Sequence, residues 1–132
     1  MPLTDKQELI LKKFAQNNKH WPKQQLEAAI WQVRWHLQAL AHQREPDDGE
    51  YDTFLMLAGR GSGKTHTASH WIGIRAWRFD NTRWLVTAPT SNDIRATCFE
   101  GDSGLLNIIP PSLIRDYNKS LFEITLTNGS LI

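Results

Sequence analysis

The 132-residue chain has one cysteine, Cys98. No internal disulfide can form, so a small disulfide-stapled scaffold is excluded, and the composition fits a reducing compartment. Long apolar runs are also missing. None approaches the roughly 20 residues that cross a bilayer, and MPLTDKQELI has no basic-then-apolar export leader. The expectation is a soluble, intracellular, non-secreted protein with no membrane partner. Charge of one sign is lacking too: 15 Lys and Arg stand against 14 Asp and Glu, for a net charge of +1. Such a total gives no general attraction to nucleic acid, although a local patch can hide within it. What remains is ordinary globular chemistry: 40% apolar and 22% charged residues are too many and too few, respectively, for a disordered chain. The length fits one domain.

The charge is unevenly spread. Residues 1–44 hold seven bases and three acids, while residues 45–52, EPDDGEYD, hold five acids and no base. That stretch has no helical or strand period and contains Pro46 and Gly49, so it reads as an exposed linker. A calcium loop would need the EF-hand spacing, which it lacks. The linker divides a helical lead-in, 1–50, from a different kind of structure in 51–132.

In the lead-in, Leu26, Ala29, Ile30, Val33, Leu37, Leu40 and Ala41 recur at spacings of three and four. They predict an apolar stripe on a helix. Trp31 and Trp35 make a second stripe one turn apart, so the helix is expected to be clamped between neighbours, its tryptophans serving as packing. A shorter helix is predicted from about Thr4 to Gln16, capped by Thr4 or Asp5.

Beyond the linker the period changes. Phe54-Leu55-Met56-Leu57 is a continuous apolar run, expected of a strand buried on both faces of a parallel sheet. A helix is predicted from Thr65 to about Phe79, with Ala68, Trp71, Ile72, Ala76 and Phe79 on one face. Then comes a second apolar run, 84–88, stopped by Pro89. Strand, glycine loop, helix and strand form a right-handed βαβ unit. Four strands are predicted in all: 51–57, 83–88, 120–127 and a start at 130 after the Asn128-Gly129 turn, which should fold back on 120–127. The fold class is α/β, a partial parallel-sheet core preceded by an N-terminal helical segment.

Between the first strand and its helix lies Ala58-Gly59-Arg60-Gly61-Ser62-Gly63-Lys64-Thr65. It matches the phosphate-binding loop G-x-x-x-x-G-K-[ST] except at its first position, where Ala58 replaces glycine. The chemistry requires those residue types. Backbone N–H groups must wrap a polyphosphate, which crowds out side chains at Gly61 and Gly63. The helix aims its positive end at the phosphates. Lys64 would reach the β- and γ-phosphates, and the Thr65 hydroxyl would ligate Mg2+. Arg60, inside the loop, is either a cation sensing the γ-phosphate or a solvent-facing arginine paired with an acid. The P-loop NTPase reading follows, with ATP and Mg2+ as ligands.

Other candidates are weaker. His66 and His70 are four apart on the helix, but the Glu of H-E-x-x-H is missing and no third ligand is apparent, so both read as surface histidines. Cys98 reads as a small buried residue without a base to activate it.

The run HQREP, an acidic spacer and FLMLAGRGSGKTHTASHWI resembles the start of the ATPase domain of phage terminase large subunits, the motors that package DNA into viral heads. LVTAPTSNDIR resembles that family's second strand with its A-P-T turn, and GDSGLLNIIP followed by SLFEITLTNGSLI resembles the segment leading to an Asn-Gly hairpin. The resemblance covers roughly Trp31 to Ile132. It implies that Gln43 contacts adenine, that Gly59, Arg60, Gly61, Ser62, Gly63, Lys64, Thr65 and His66 surround the nucleotide, and that Lys64 and Arg60 are the catalytic cations. It further implies double-stranded DNA, a portal protein and a small terminase subunit as partners. The working form would be a homo-oligomeric ring in the host cytoplasm, acting transiently at the procapsid portal.

Such motors use an apolar strand ending in Asp-Glu to orient metal and water. The sequence has no Asp-Glu dipeptide and no acidic nuclease cluster. The expectation is therefore an N-terminal part of a longer motor, one that captures nucleotide and hydrolyses it poorly alone. A P-loop helicase or translocase fragment shares the loop and the A-P-T turn. A nucleotide-binding remnant is a third reading, and a small-molecule kinase would need an acceptor pocket and lid that nothing here suggests.

Overall fold

A computed structural model describes residues 2–44, 49 and 51–132. Most of the acidic linker, residues 45–48 and 50, lies outside the described residues.

The lead-in is two helices. Helix α1, Asp5–Asn17, starts at Thr4, whose hydroxyl accepts from Gln7 N–H while the Gln7 side chain accepts from Thr4 N–H. This reciprocal pair satisfies two end groups that the helix itself cannot bond. Gln7 Nε2 also donates to the Leu37 carbonyl, tying α1 to α2, Lys23–Gln38. On α2, Ala28 and Trp31 enter the core, whereas Trp35, Leu26, Ala29, Ile30, Val33 and Leu37 are half-buried; Leu40 and Ala41, predicted in the apolar stripe, lie beyond the helix and are exposed. A single 3-10 turn, Ala41–Gln43, follows.

Helix α3, Lys64–Arg78, is the central element. It buries Thr67, Ser69, His70, Ile72, Gly73 and Ala76. The face predicted for it is therefore rotated: Ala68 and Phe79 are exposed, and His70, expected at the surface, is 5% exposed. The rotation follows from α2, whose tryptophans pack on the histidine side of α3.

After α3 come a short helix α4, Ser91–Asp93, continuing as a π-helical turn Ile94–Phe99, and α5, Leu105–Ile108. Thr90 caps α4 by accepting from Asp93 N–H. Strand β1, Ile114–Asn118, pairs antiparallel with β2, Glu123–Leu126, with a bulge between Ile114 and Asp116. Residues 120–122, predicted as strand, form the turn between them: Asn118 Oδ1 accepts from Ser120 and Leu121 N–H, and Phe122 has φ 54°.

The Asn-Gly turn forms as expected. Gly129 takes φ 85°, and Ile124 and Ile132 exchange two N–H···O bonds of 2.9 Å. On its other edge Leu131 accepts from Trp84 N–H and donates to the Thr82 carbonyl, a parallel contact. The core is one cluster: Trp31 of α2, Ile72 and Ala76 of α3, Phe99, Leu105, Ile109, Leu113, and Ile124, Leu126 and Ile132 of the hairpin.

The parallel βαβ pairing expected of 51–57 and 83–88 is not made among the described residues. Among the described residues the sheet contacts are antiparallel and lie within 114–132, apart from the parallel bridge between Arg83 and Leu131. Segments 53–59 and 85–88 run without ladder bonds. Leu55 is 72% exposed, Leu57 85% and Leu85 84%. A doubly buried strand needs a hydrogen-bonding neighbour on each edge and a layer on each face. Segment 83–88 meets Leu131 only at its start, and 53–59 has no strand partner among the described residues.

Candidate nucleotide-binding loop

The loop enters α3 through two left-handed glycines, Gly61 at φ 75° and Gly63 at φ 81°, the latter being the N-cap. L-residues with a side chain occupy that region at a cost of about 1–2 kcal/mol. The crowding expected at both positions is found only at Gly63, since a Cβ at Gly61 would meet nothing within 4 Å and only its left-handed backbone favours glycine there. Among the described residues, the amides of Arg60, Gly61, Ser62 and Gly63 donate to no protein acceptor. They, with the free N–H groups of the first turn of α3, are the donors an anion could take.

Lys64 reaches back across the loop. Its Nζ donates to the Ala58 carbonyl at 2.5 Å, the Gly59 carbonyl at 2.7 Å and Ser62 Oγ at 3.5 Å. The one fixed cation of the motif is thus held at the centre of the turn, in competition with any anion that would draw it off. Thr65, half-buried in the first turn of α3, lines a cavity of about 400 Å³ with Lys64, Ser69, Leu85, Thr87 and Cys98. Arg60 is exposed at the loop tip. Cys98 is half-buried rather than buried, and desolvation together with the Asp93 carboxylate pushes its thiol pKa up. It is an unactivated thiol.

Gln43 is brought to the loop from 20 residues upstream. Its amide oxygen accepts from Leu40 N–H at 2.9 Å, closing the 3-10 turn, and its Nε2 lies against Gly63, where any Cβ would collide with it. Beside it, His42 Nε2 donates to the Ser62 carbonyl at 3.1 Å. The turn 41–43 therefore holds the loop at two adjacent residues. His42 was not singled out from the sequence, and only its neighbour's place in the HQREP run pointed there.

His66 and His70 sit behind the loop against α2. The rings of Trp35 and His70 stack at 4.0 Å and 12°, and His66 meets Trp35 edge-on at 5.4 Å. His70 Nδ1–H donates to the His66 carbonyl at 2.8 Å. Burial pulls the His70 pKa down to about 4, against the opposing effect of that hydrogen bond, and burial lowers His66 as well. Both imidazoles are neutral aromatic surfaces near pH 7. Among the described residues no group of three or more His, Cys, Asp and Glu side chains converges on a metal position, and no helix is long and apolar enough to cross a membrane.

Comparison with protein-family models, with curated proteins and with solved structures finds no match for this chain.

Proposed function

We propose that this chain binds Mg–ATP through residues 59–65 and serves as the nucleotide-binding part of a viral DNA-packaging ATPase of the terminase large-subunit type. One observation carries the first half: a turn with two left-handed glycines runs into the N-terminus of α3 while Lys64 Nζ is held inside it by loop oxygens. A triphosphate offers that ammonium stronger, charged acceptors in place of carbonyls. The unspent amides of 60–63 and the helix end supply further donors.

In this reading Lys64 neutralises β- and γ-phosphate charge, Thr65 ligates Mg2+, and Arg60, exposed at the loop tip, is free to swing onto the γ-phosphate. Catalysis of phosphoryl transfer is mostly positioning and charge stabilisation. With no Asp-Glu pair in the sequence to orient water, this chain holds nucleotide and turns it over slowly. Double-stranded DNA, a portal protein, a small terminase subunit and a ring of copies in the host cytoplasm are the partners and setting proposed from the sequence resemblance. The support for that second half is the ordered set of loop arginine, A-P-T turn and Asn-Gly hairpin.

Isothermal titration with Mg–ATP tests the reading. Saturable binding that Lys64→Ala weakens at least tenfold is expected, and equal binding by the variant refutes it.

A further inference from the structure

The near-neutral net charge hides one segregated stretch. Residues 9–26 carry four lysines and no acid. They make up the second half of α1, the turn after it and the start of α2. Lys12, Lys13, Lys19 and Lys23 are all exposed. Lys23 Nζ lies 4.0 Å from a Glu27 carboxylate oxygen, and the other three have no acidic partner among the described residues. Glu27 is itself engaged by Ser112, whose hydroxyl donates to it.

This corner opens onto a groove of about 610 Å³ between α2, the end of α3 and the hairpin. Pro22, Gln24 and Gln25 line one side of it, and Arg115 and Asn128 line it from the hairpin. Arg115 is exposed, and its Nη2 donates only a long bond of 3.3 Å to the Thr127 carbonyl. Asp80 is the acid on the lining. A groove edged by lysines, amides and an arginine suits a repeating anion. A phosphodiester backbone carries one charge per step and gains affinity by shedding condensed counterions onto such cations. An acidic lipid surface is the rival source of phosphate, but it requires an apolar face beside the lysines. Helix α1 has buried Leu11, and Phe14 packs edge-on against Trp21 at 6.1 Å, so only Leu9 and Ile10 of its large apolar residues stay exposed. The neighbours of Lys19 and Lys23 include the amides Asn17, Asn18, Gln24 and Gln25.

We infer that the corner of α1 and α2, from Lys13 through Lys19 and Lys23 to Arg115 across the groove, takes the phosphodiester backbone of a nucleic acid without reading its bases. This surface is separate from the phosphate loop and its assignment rests on charge placement alone. It gives the DNA partner proposed above a place to dock.

The test is fluorescence anisotropy of a labelled mixed-sequence DNA duplex with the whole chain, over a series of salt concentrations and without nucleotide. Four phosphate contacts should make the logarithm of the binding constant fall with the logarithm of salt at a slope of about −3 to −4. Lys19→Ala with Lys23→Ala should reduce that slope by about 2, and adding Arg115→Ala by about 1 more. The triple variant should bind roughly tenfold or more weakly at low salt. Two controls should bind like wild type: Lys6→Ala, exposed on α1 between Asp5 and Glu8, and Lys64→Ala in the phosphate loop. Absent or salt-independent binding by wild type overturns the inference, and so does an unchanged slope in the triple variant. If Arg115→Ala disturbs the hairpin, the lysine pair decides alone. Equal loss in Lys64→Ala and the triple variant puts the duplex on the phosphate loop and overturns it too. Wild type that sediments with phosphatidylglycerol vesicles but shows no saturable duplex binding assigns the corner to lipid, again overturning it. Failure of Mg–ATP to bind refutes the nucleotide reading and leaves this one standing, so the two failures are distinguishable.

Discussion

The Nζ of Lys64 donates to the carbonyl oxygen of Gly59 at 2.7 Å, five residues back along its own loop. The bond is exposed, so its contribution to folding is small, of the order of 1 kcal/mol for a hydrogen bond to a charged group in water. Its consequence for binding is larger, because the same ammonium is the loop's main attraction for phosphate. Lys64→Ala should therefore separate the two. Urea unfolding should move by less than about 1 kcal/mol, while Mg–ATP affinity falls at least tenfold. A variant that loses several kcal/mol of stability would show that the lysine is chiefly a structural strap.

Gly63 carries two constraints at once, a left-handed φ of 81° and the side chain of Gln43 where a Cβ would go. Gly63→Ala should destabilise by about 2 kcal/mol, about 1–2 from the backbone and the rest from displacing Gln43. In a Gln43→Ala background the second part disappears, so the same substitution should cost measurably less. A double-mutant cycle by urea melts reads that coupling. Strict additivity would mean that Gln43 does not brace the loop.

Asn128 fastens the Asn-Gly hairpin to the end of α3. Its Nδ2 donates to the Ala76 and Trp77 carbonyls, both at 2.9 Å, and its Oδ1 accepts from Ser130 N–H at 3.1 Å. Fully buried Ser130 completes the clasp by donating to the Phe79 carbonyl at 2.7 Å. The carbonyls at a helix C-terminus have no partner within the helix, so losing the amide leaves them unbonded. Asn128→Ala should cost about 2 kcal/mol. Asn128→Asp, which keeps the acceptor but has no donor, should cost nearly as much by thermal or urea melts.

Much of this was legible from residue order alone. The period of 26–37, the Thr4 cap and the Asn128-Gly129 turn each rest on local chemistry, and each element forms where that chemistry puts it, although the helix ends at Gln38, before Leu40 and Ala41 of the predicted stripe. The glycines of the loop were legible for the same reason. Strand β1 was not: IRDYN carries Arg115 and Asp116 and shows no apolar alternation, so its pairing with β2 is a tertiary result. The depth of His70 was hidden because two stripes on α2 competed for the core and the sequence does not say which neighbour each will meet. Runs 53–57 and 84–88 were overread. Apolar content sets a preference for burial, but a strand also needs a partner, and here 53–57 has none among the described residues. For the site, Lys64, Gly61 and Gly63 were readable from the motif, whereas the grip of His42 on Ser62 and the stacking of Trp35 on His70 depend on α2 docking against α3.

The buried His70 makes stability depend on pH. Its folded pKa of about 4 lies below the ordinary 6.5, because the charged form loses its hydration. The unfolded chain then binds more protons than the folded one between those values, so stability falls as pH drops from about 6.5 towards 4 and is flat above. The lost amount at pH 4.5 is roughly 2–3 kcal/mol. Carboxylates titrate in the lower part of that window too. The comparison is therefore with His70→Phe, which keeps a ring to stack on Trp35 and cannot be protonated. Urea melts from pH 7.5 to 4.5 should show wild type losing more stability than this variant, and parallel curves would place His70 in water.

Leu55 and Leu57 project into solvent from an unpaired extended segment, and Leu85 does the same from the second one. Apolar edges of this kind present free N–H and C=O groups to any other chain, which favours edge-to-edge association. None of the three leucines belongs to the buried cluster, so removing their apolar surface costs the fold little. Surface substitutions away from packed features usually stay within about 0.5 kcal/mol. Leu55→Lys with Leu57→Lys should leave the urea midpoint nearly unchanged and lower the concentration dependence of light scattering, since a charge on an exposed edge opposes pairing. Leu85→Lys should act in the same direction. A double variant that unfolds at much lower urea would mean that the 53–57 run is packed in solution, and the two segments would then form a buried sheet of the kind their composition first suggested.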